Sequence, residues 1–214
     1  MSLCKICNNL GSPIADVKKN LCYYRCSSCG FVWLDNQFML NAKEEKKKYD
    51  QHNNSLENEG YVQMFEDFIE MAIVPYQENI HSILDFGSGP EPVLSQLLER
   101  RSFKVDIYDL YYAPTKIYEN KTYDLITSTE VFEHLSKPLE VLSLLAKHLN
   151  RHGYMALMTK FPPKDDVEFL AWWYRRDPTH ISFFTPQSFE IMGKKTGLKV
   201  LETINENVVI FQKK

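Results

Sequence analysis

The segment from Ser82 to Asp109 restricts the fold of this chain more than any other part of the sequence. Residues 82–86 are mostly apolar and predict a buried strand, which ends in the loop Gly87-Ser88-Gly89. Residues 92–101 then carry valine and leucines at helical spacing, and residues 103–108 predict a second strand. A strand, a glycine loop and a helix in this order form the nucleotide-binding unit of α/β proteins. We therefore predict a doubly wound, mostly parallel sheet with helices on both faces.

Two features of this unit indicate the ligand that it would bind. Asp109 follows Gly89 by 20 residues, where a carboxylate can accept hydrogen bonds from both hydroxyls of a ribose. A nicotinamide dinucleotide would place its pyrophosphate at the start of the helix. Residues 90–92, Pro-Glu-Pro, remove two backbone donors there and add a carboxylate. This arrangement disfavours an anionic pyrophosphate but not a cationic sulfonium ligand.

Two motifs resemble those of class I S-adenosylmethionine-dependent methyltransferases. Residues 85–90, Asp-Phe-Gly-Ser-Gly-Pro, are similar to the first motif of that family. Residues 123–134, Tyr-Asp-Leu-Ile-Thr-Ser-Thr-Glu-Val-Phe-Glu-His, are similar to its fourth-strand motif. The resemblance covers residues 80–160 well and the whole chain more loosely, as a bacterial-type group of zinc-ribbon methyltransferases without assigned substrates. It implies S-adenosylmethionine as cofactor and methyl transfer as the activity.

The resemblance also implies which residues bind the cofactor. The expected residues are Asp85, Phe86, Gly87, Ser88 and Gly89 around the methionine part, Asp109 and Leu110 at the ribose and adenine, and Ser128, Thr129 and Glu130 on the pocket floor.

One departure from the family pattern lies between Asp109 and the strand at Tyr123. Only 13 residues separate them, which is too few for a third strand with flanking helices. We expect the adenine wall to be abbreviated, with Tyr111, Tyr112 or Ala113 in place of the usual loop.

Four of the five cysteines predict a metal site ahead of the nucleotide unit. Cys4-x2-Cys7 and Cys26-x2-Cys29 are separated by 18 residues, a spacing typical of two knuckles that complete a tetrahedral zinc site. Four thiolates leave no open position on the metal, so the predicted zinc is structural and supplies much of the folding energy of so small a module. Disulfides or free thiols are the alternative, and a reducing compartment disfavours disulfides.

These patterns divide the chain into three predicted parts. They are a zinc ribbon over residues 1–36, a linker and N-terminal helical lid over residues 37–79, and a methyltransferase domain over residues 80–214. Within the second part, the charge run at 43–48 predicts a solvated helix face or linker. His52 and Asn53 lie just ahead of the next helix, where many methyltransferases carry a lid over the cofactor.

The residues after Thr159 indicate where an acceptor would bind. Residues 169–180 are rich in aromatic and polar side chains, at the end of a strand where substrate loops attach. His134 and His180 are the candidate bases, because an imidazole titrates near neutral pH. Each could equally be a hydrogen-bonded structural histidine, and Glu130 and Glu133 could instead orient the amino group of the cofactor.

The charge of the chain bears on which partners it can bind. The net charge of −3 argues against a strong general affinity for nucleic acid. Residues 1–30 nevertheless sum to +3, which keeps an RNA or protein methyltransferase with a recognition ribbon as an alternative to a small-molecule enzyme. A non-catalytic cofactor-binding scaffold is the third interpretation of the function.

The start of the chain lacks the pattern of a secretory signal, and we expect a cytoplasmic monomer or weak dimer with no membrane partner.

Overall fold

The computed structural model describes residues 2–51 and 55–214. The predicted lid residues His52 and Asn53 lie outside these residues. The helices and strands, in chain order, are β1 (Ser2–Leu3), β2 (Leu10–Asp16), β3 (Leu21–Cys26), β4 (Val32–Leu34), α1 (Ala42–Tyr49), α2 (Glu59–Ala72), β5 (Ser82–Phe86), α3 (Val93–Arg100), β6 (Lys104–Tyr108), β7 (Tyr123–Thr129), α4 (Pro138–Lys147), β8 (Leu149–Met158), α5 (Asp166–Ala171), β9 (Ser182–Phe183), α6 (Pro186–Thr196), β10 (Leu198–Ile204) and β11 (Val208–Lys213).

The larger sheet has six strands in the order β10-β11-β8-β7-β5-β6. The four neighbours β8, β7, β5 and β6 are parallel, whereas β11 is antiparallel to both β8 and β10. The chain runs from β5 to β6 on one side and then to β7 on the other side of β5. The gap between these connections is the switch point at which α/β sheets bind ligands, just beyond the carboxyl ends of the strands.

Helices cover both faces of this sheet, as the doubly wound prediction requires. Along β5, Ile83 packs with α2 and α3, whereas its neighbour Leu84 packs with α4 and α6. The same alternation divides Ala156 from Leu157 in β8. Successive side chains of a strand point to opposite faces, so one run of apolar residues supplies two cores.

The shortened segment after β6 is confirmed. Within the described residues 110–122 there is no strand, and Asp109 and Ala113 form only an isolated bridge. The sheet therefore ends at β6. Strand β8 runs from Leu149 to Met158 and therefore contains Gly153. A Cβ at Gly153 would lie 3.0 Å from the carbonyl oxygens of Asn150 and Asp124, so glycine serves close packing here.

The N-terminal strands form a second, antiparallel sheet in the order β1-β2-β3-β4-β9. Strand β2 was not expected from the sequence, because Gly11 and Pro13 interrupt its pattern. The fifth strand of this sheet, β9, follows α5 in the chain and pairs Ser182 with Trp33 of β4. Residues of the ribbon, such as Phe31, pack against Phe184. The ribbon is therefore joined to the rest of the chain by a shared sheet and a shared core.

No described helix combines the length and the apolar character that crossing a bilayer requires.

Candidate functional site

A cavity of about 810 Å³ opens at the carboxyl ends of β5, β6 and β7. Its walls come from the glycine loop after β5, the tyrosines after β6 and the turn after β7. Helices α1 and α2 and residues 178–181 close the remaining sides. The cavity therefore occupies the switch point of the sheet.

Two glycines with positive φ shape the loop after β5. Gly87 has a φ of +87°, and a Cβ there would lie 2.2 Å from Cγ2 of Val131. Gly89 has a φ of +73°, and a Cβ there would meet no atom within 4 Å. Both conformations favour glycine. At Gly89 the backbone also borders the cavity, and the absence of a side chain leaves the space beside it open.

Asp109 is fixed at the edge of the cavity by backbone donors. Its Oδ2 accepts a hydrogen bond from the amide of Gly89 at 3.0 Å, and its Oδ1 accepts from the amides of Tyr111 and Tyr112 at 2.8 and 3.0 Å. A carboxylate has about four acceptor sites, so both oxygens can still accept from hydroxyls of a ligand. Leu110 also lines the cavity and is 63% exposed.

Asp85 is buried beneath the glycine loop. Its two carboxylate oxygens accept hydrogen bonds from Oγ of Ser95 at 2.9 Å and Oγ1 of Thr127 at 3.0 Å. Burial raises the pKa of Asp85 to about 6 even though both hydroxyl donors lower it. The carboxylate is therefore held in one orientation at the base of the cavity.

Helix α1 borders the cavity, although its charge run was expected to be a solvated face or linker. Glu45 accepts a hydrogen bond from the hydroxyl of Tyr111 at 2.7 Å, and Asp50 accepts one from Tyr112 at 2.7 Å. The ring of Tyr49 meets the ring of His134 at 5.1 Å, nearly edge to face. Lys43, Lys47 and Lys48 are exposed, whereas Glu45 and Tyr49 line the cavity, and a run of charges does not reveal this division.

Two glutamates share one tyrosine hydroxyl beside the cavity. Tyr174 donates to Oε1 of Glu133 at 2.5 Å, and its hydroxyl also lies 3.1 Å from Oε2 of Glu130. Burial raises the pKa of Glu133 to about 7. Burial also raises the pKa of Glu130, the charge of Glu133 adds to this, and Lys160 partly offsets it. Glu130 has a φ of +53°, a strained conformation of the kind that clusters at functional sites.

The two candidate bases lie next to each other. Nδ1 of His134 is 3.0 Å from the carbonyl oxygen of Thr179, and Nδ1 of His180 is 2.7 Å from that of Tyr174. A carbonyl oxygen can only accept, so the proton of each neutral imidazole belongs on Nδ1 and the lone pair on Nε2. The ring centroids are 4.8 Å apart.

The structure brings nearly all of the predicted site residues to one cavity. Ser128 differs: it is fully buried in β7 and does not line the cavity, because its neighbour Thr129 takes the side facing the site. The predicted residues that line the cavity are Asp85, Phe86, Gly87, Ser88, Gly89, Asp109, Leu110, Thr129, Glu130, His134 and His180.

Helix α2 supplies cavity residues that the sequence did not single out. Tyr61, Met64 and Phe65 line the site, and they belong to the helical apolar pattern that begins after Gly60. That pattern identifies an apolar stripe but does not show that one end of the stripe continues past the sheet to the ligand cavity.

The four predicted zinc ligands lie together, and none of them lines the cavity. The sulfur of Cys4 is 3.6 Å from that of Cys29, and the sulfur of Cys7 is 3.3 Å from that of Cys26. All four sulfurs lie within 4.8 Å of one another. Four Zn–S bonds of about 2.3 Å in a tetrahedron would separate the sulfurs by roughly 3.8 Å, so this donor set fits zinc.

Known proteins share this fold. A family model described as a methyltransferase domain matches residues 42–203. An O-methyltransferase family protein from Burkholderia thailandensis aligns with a TM-score of 0.55 and 12% identity, over 83% of this chain and 61% of its own length. Streptomyces venezuelae DesVI gives 0.53 and 11%, over 82% of this chain and 100% of its own. The mitomycin 7-O-methyltransferase MmcR gives 0.52 and 11%, over 79% and 60%.

The chain thus spans less than two thirds of the Burkholderia and MmcR proteins. None of the curated proteins compared matches it. At these identities the structural likeness establishes the fold, whereas the family model covers most of the chain. The chain therefore belongs to the methyltransferase-domain family.

Proposed function

We propose that this chain is an S-adenosylmethionine-dependent methyltransferase that acts on a small-molecule acceptor. The observation that carries the proposal is the pairing of Gly89 and Asp109 at the cavity. The open space beside Gly89 leaves its backbone accessible to the amino-acid part of the cofactor, and the fixed carboxylate of Asp109 can accept from the ribose hydroxyls.

The charge of the cavity favours a cationic ligand. The carboxylates of Asp109 and Glu45 lie on its walls, and among the described residues no lysine or arginine lines it. Asp85 and Glu130 also line it, but burial raises their pKa and reduces their charge. A phosphate-bearing cofactor would find no cationic side chain there, and Pro90 and Pro92 cannot offer backbone donors at the start of α3. A sulfonium carries a positive charge and is attracted by these carboxylates.

The size and closure of the cavity favour a small acceptor. A volume of about 810 Å³ lies within the range of roughly 300–1,000 Å³ typical of small-molecule sites. Helices α1 and α2 wall it with Tyr49, Tyr61 and Phe65. An acceptor would reach the side next to His134 and His180, and the ribbon does not contribute to the lining.

The cofactor supplies an electrophilic methyl group bonded to a positively charged sulfur. The chain's own residues then act by positioning and by excluding water. Asp109 and the glycine loop hold the nucleoside, the buried carboxylate of Asp85 supports the loop, and the aromatic walls keep solvent away. Where the acceptor has a proton to lose, His134 and His180 are the predicted bases.

We further propose that Cys4, Cys7, Cys26 and Cys29 bind a structural zinc ion. The donor set is that of closed zinc sites, with no position left for a substrate. Thr185 donates a hydrogen bond to the carbonyl oxygen of Cys29 at 2.6 Å, and Lys195 donates to that of Ile6 at 2.5 Å. The metal would thus stabilise the knuckles against which the start and the end of α6 pack.

Calorimetric titration with S-adenosylmethionine and S-adenosylhomocysteine tests the proposed cofactor. Both should bind with one site per chain, and Asp109→Ala should weaken binding at least about tenfold, because a hydrogen bond to a charged group contributes roughly 1.5–3 kcal/mol. The control is Asp106→Ala in β6, three residues before Asp109, since Asp106 bonds to Tyr123 and Lys121 outside the cavity. Equal affinity in the wild type and Asp109→Ala would remove the ribose assignment.

A further inference from the structure

We propose that Glu133, His134 and His180 form a binding site for one divalent transition-metal ion beside the cofactor cavity. One ligand atom from each residue lies within 4.8 Å of the other two. Two imidazoles and one carboxylate are the donor set of catalytic zinc and non-haem iron sites, which keep positions open for a substrate. His134 and His180 border the cavity, so these open positions would face the acceptor.

The orientation of the histidines supports ligation. Both rings have Nδ1 within hydrogen-bond distance of a backbone carbonyl oxygen, at 3.0 Å for His134 and 2.7 Å for His180. Metal-binding histidines commonly donate their second ring N–H to a carbonyl or carboxylate, which fixes the ring and its tautomer. Nε2 of His134 then lies 3.9 Å from Oε1 of Glu133. Ligand atoms around a tetrahedral ion with bonds of about 2.1 Å lie roughly 3.4 Å apart, so ion binding would draw these atoms inward by up to about 1 Å.

The environment of Glu133 supplies independent support. Its side chain is fully buried, and its Oε2 has no hydrogen-bond partner in the described structure. A buried oxygen without a partner costs free energy. The adjacent carboxylate of Glu130 shares the hydroxyl of Tyr174 with Glu133. Two buried carboxylates side by side repel each other, and a cation bound by both oxygens of Glu133 would satisfy Oε2 and reduce that repulsion.

The donor set indicates the class of metal and of acceptor. Imidazoles and a carboxylate suit Mn²⁺, Fe²⁺, Co²⁺ or Zn²⁺, and not the all-oxygen shell of Ca²⁺ or Mg²⁺. The matching acceptor is a molecule that presents a hydroxyl oxygen to the ion. On the ion this hydroxyl loses its proton to water, its oxygen bonds to the methyl carbon, and the carbon–sulfur bond breaks to leave a neutral thioether.

This role toward the acceptor rests on the proposed methyltransferase function, whereas the metal site itself does not. The site also offers an alternative to the two histidines acting as bases, because a metal-bound Nε2 has no lone pair to accept a proton. A direct measurement of metal binding separates the two roles without an acceptor.

Mn²⁺ titration followed by electron paramagnetic resonance tests the site in the purified full-length protein. Free Mn²⁺ gives a six-line signal that is lost on binding, and Mn²⁺ does not compete well for the four thiolates. We expect the wild type to bind about one Mn²⁺ per chain. His180→Gln and Glu133→Gln should weaken binding at least tenfold, and each is first checked for a wild-type melting profile.

His148→Gln is the matched control. Nδ1 of His148 also lies 3.0 Å from a carbonyl oxygen, that of Lys121, but His148 does not border the cavity and is not grouped with a carboxylate ligand. This variant should keep wild-type affinity. If either main variant fails to fold, His134→Gln takes its place.

Two results would overturn the proposal: a wild-type protein that leaves the free Mn²⁺ signal unchanged at equimolar concentration, or equal binding in all variants. Titration of the same preparation with S-adenosylmethionine in EDTA shows independently whether the cofactor binds. A failed metal site with intact cofactor binding would leave the histidines as bases.

Discussion

At the scale of single residues, the two loop glycines have different tasks. A side chain at Gly87 meets Val131 and also requires a left-handed backbone, whereas one at Gly89 meets only open space. Gly87→Ala should therefore lower the free energy of unfolding by about 2 kcal/mol or more, from strain and overpacking together.

Gly89→Ala should lower the free energy of unfolding only by the backbone strain, about 1 kcal/mol. It should nevertheless weaken S-adenosylmethionine binding, because the added methyl group would stand where the ligand approaches the backbone. Urea unfolding and calorimetry on the two variants check the contrast. Gly197→Ala is the control, because Gly197 also has a positive φ and open surroundings but caps α6 outside the cavity. If Gly89→Ala bound the cofactor as well as Gly197→Ala, the ligand would not approach this backbone.

Asp85 gives a pH-dependent prediction. Its pKa is raised to about 6 by burial, from 3.8 in the unfolded chain. Its contribution to stability is therefore complete below about pH 4 and is lost as the pH rises through 6. The stability of the wild type relative to Asp85→Asn should fall over that range, by at most about 3 kcal/mol.

Urea unfolding of both proteins between pH 4.5 and 7 measures this difference. Asp106→Asn should give a nearly flat difference over this range, because hydrogen bonds from Lys121 and Tyr123 outweigh burial and lower the pKa of Asp106, so its pH dependence falls below about pH 4. A flat difference for Asp85→Asn would show that the buried carboxyl is not perturbed.

Sequence reasoning predicted single residues where chemistry restricts the residue type. Glycines, the carboxylate after β6 and the histidine of the β7 turn could be placed because few residue types serve those positions. Ser128 and Thr129 could not be separated in the same way: a polar residue at a strand end can face either side, and only the register of β7 decides which.

At the scale of elements, the order of strands and helices in the larger sheet was predictable, but contacts distant in sequence were not. The capped start of α6 at Thr185 and the hairpin of β10 and β11 rest on local signals, the Thr185-Pro186 pair and the turn at 205–207. The pairing of β9 with β4 joins residues about 150 positions apart. No periodicity or turn signal encodes such a pairing.

A buried ion pair links β2 to the 3₁₀ turn Tyr174–Arg176. The guanidinium of Arg175 bonds to Asp16 at 2.5 Å, and both side chains are less than 10% exposed. Asp16→Ala leaves a buried charge without its partner and should cost about 3–5 kcal/mol of unfolding free energy. Urea unfolding measures the loss.

The surface pair of Arg101 and Glu66 is the comparison, since both side chains are about one third exposed. Glu66→Ala should cost less than about 1 kcal/mol. Similar losses in the two variants would show that the Asp16 pair does not hold the ribbon to this turn.

At the scale of the whole molecule, binding of the predicted zinc should stabilise the ribbon and the methyltransferase fold together. The ribbon shares a sheet with β9 and a core with α6. Removing the metal, or replacing Cys26 and Cys29 by Ser, should lower the melting temperature of the entire chain and keep a single transition. Metal analysis should give about one zinc per chain with tight binding, lost in the double variant.

Differential scanning calorimetry with and without a chelator checks this coupling. The replacement Cys22→Ser is the control, because Cys22 is not among the four grouped cysteines. Two separate transitions after chelation would show instead that the ribbon and the sheet are independent folding units.

The central claim is that the cavity beside Gly89 and Asp109 binds a sulfonium nucleoside. A crystal structure of the protein with S-adenosylhomocysteine tests it most directly. The account predicts the nucleoside in this cavity, with a ribose hydroxyl within hydrogen-bond distance of the Asp109 carboxylate and the amino-acid part against the glycine loop. An empty cavity at saturating ligand, or a nucleoside bound at another place, would contradict it.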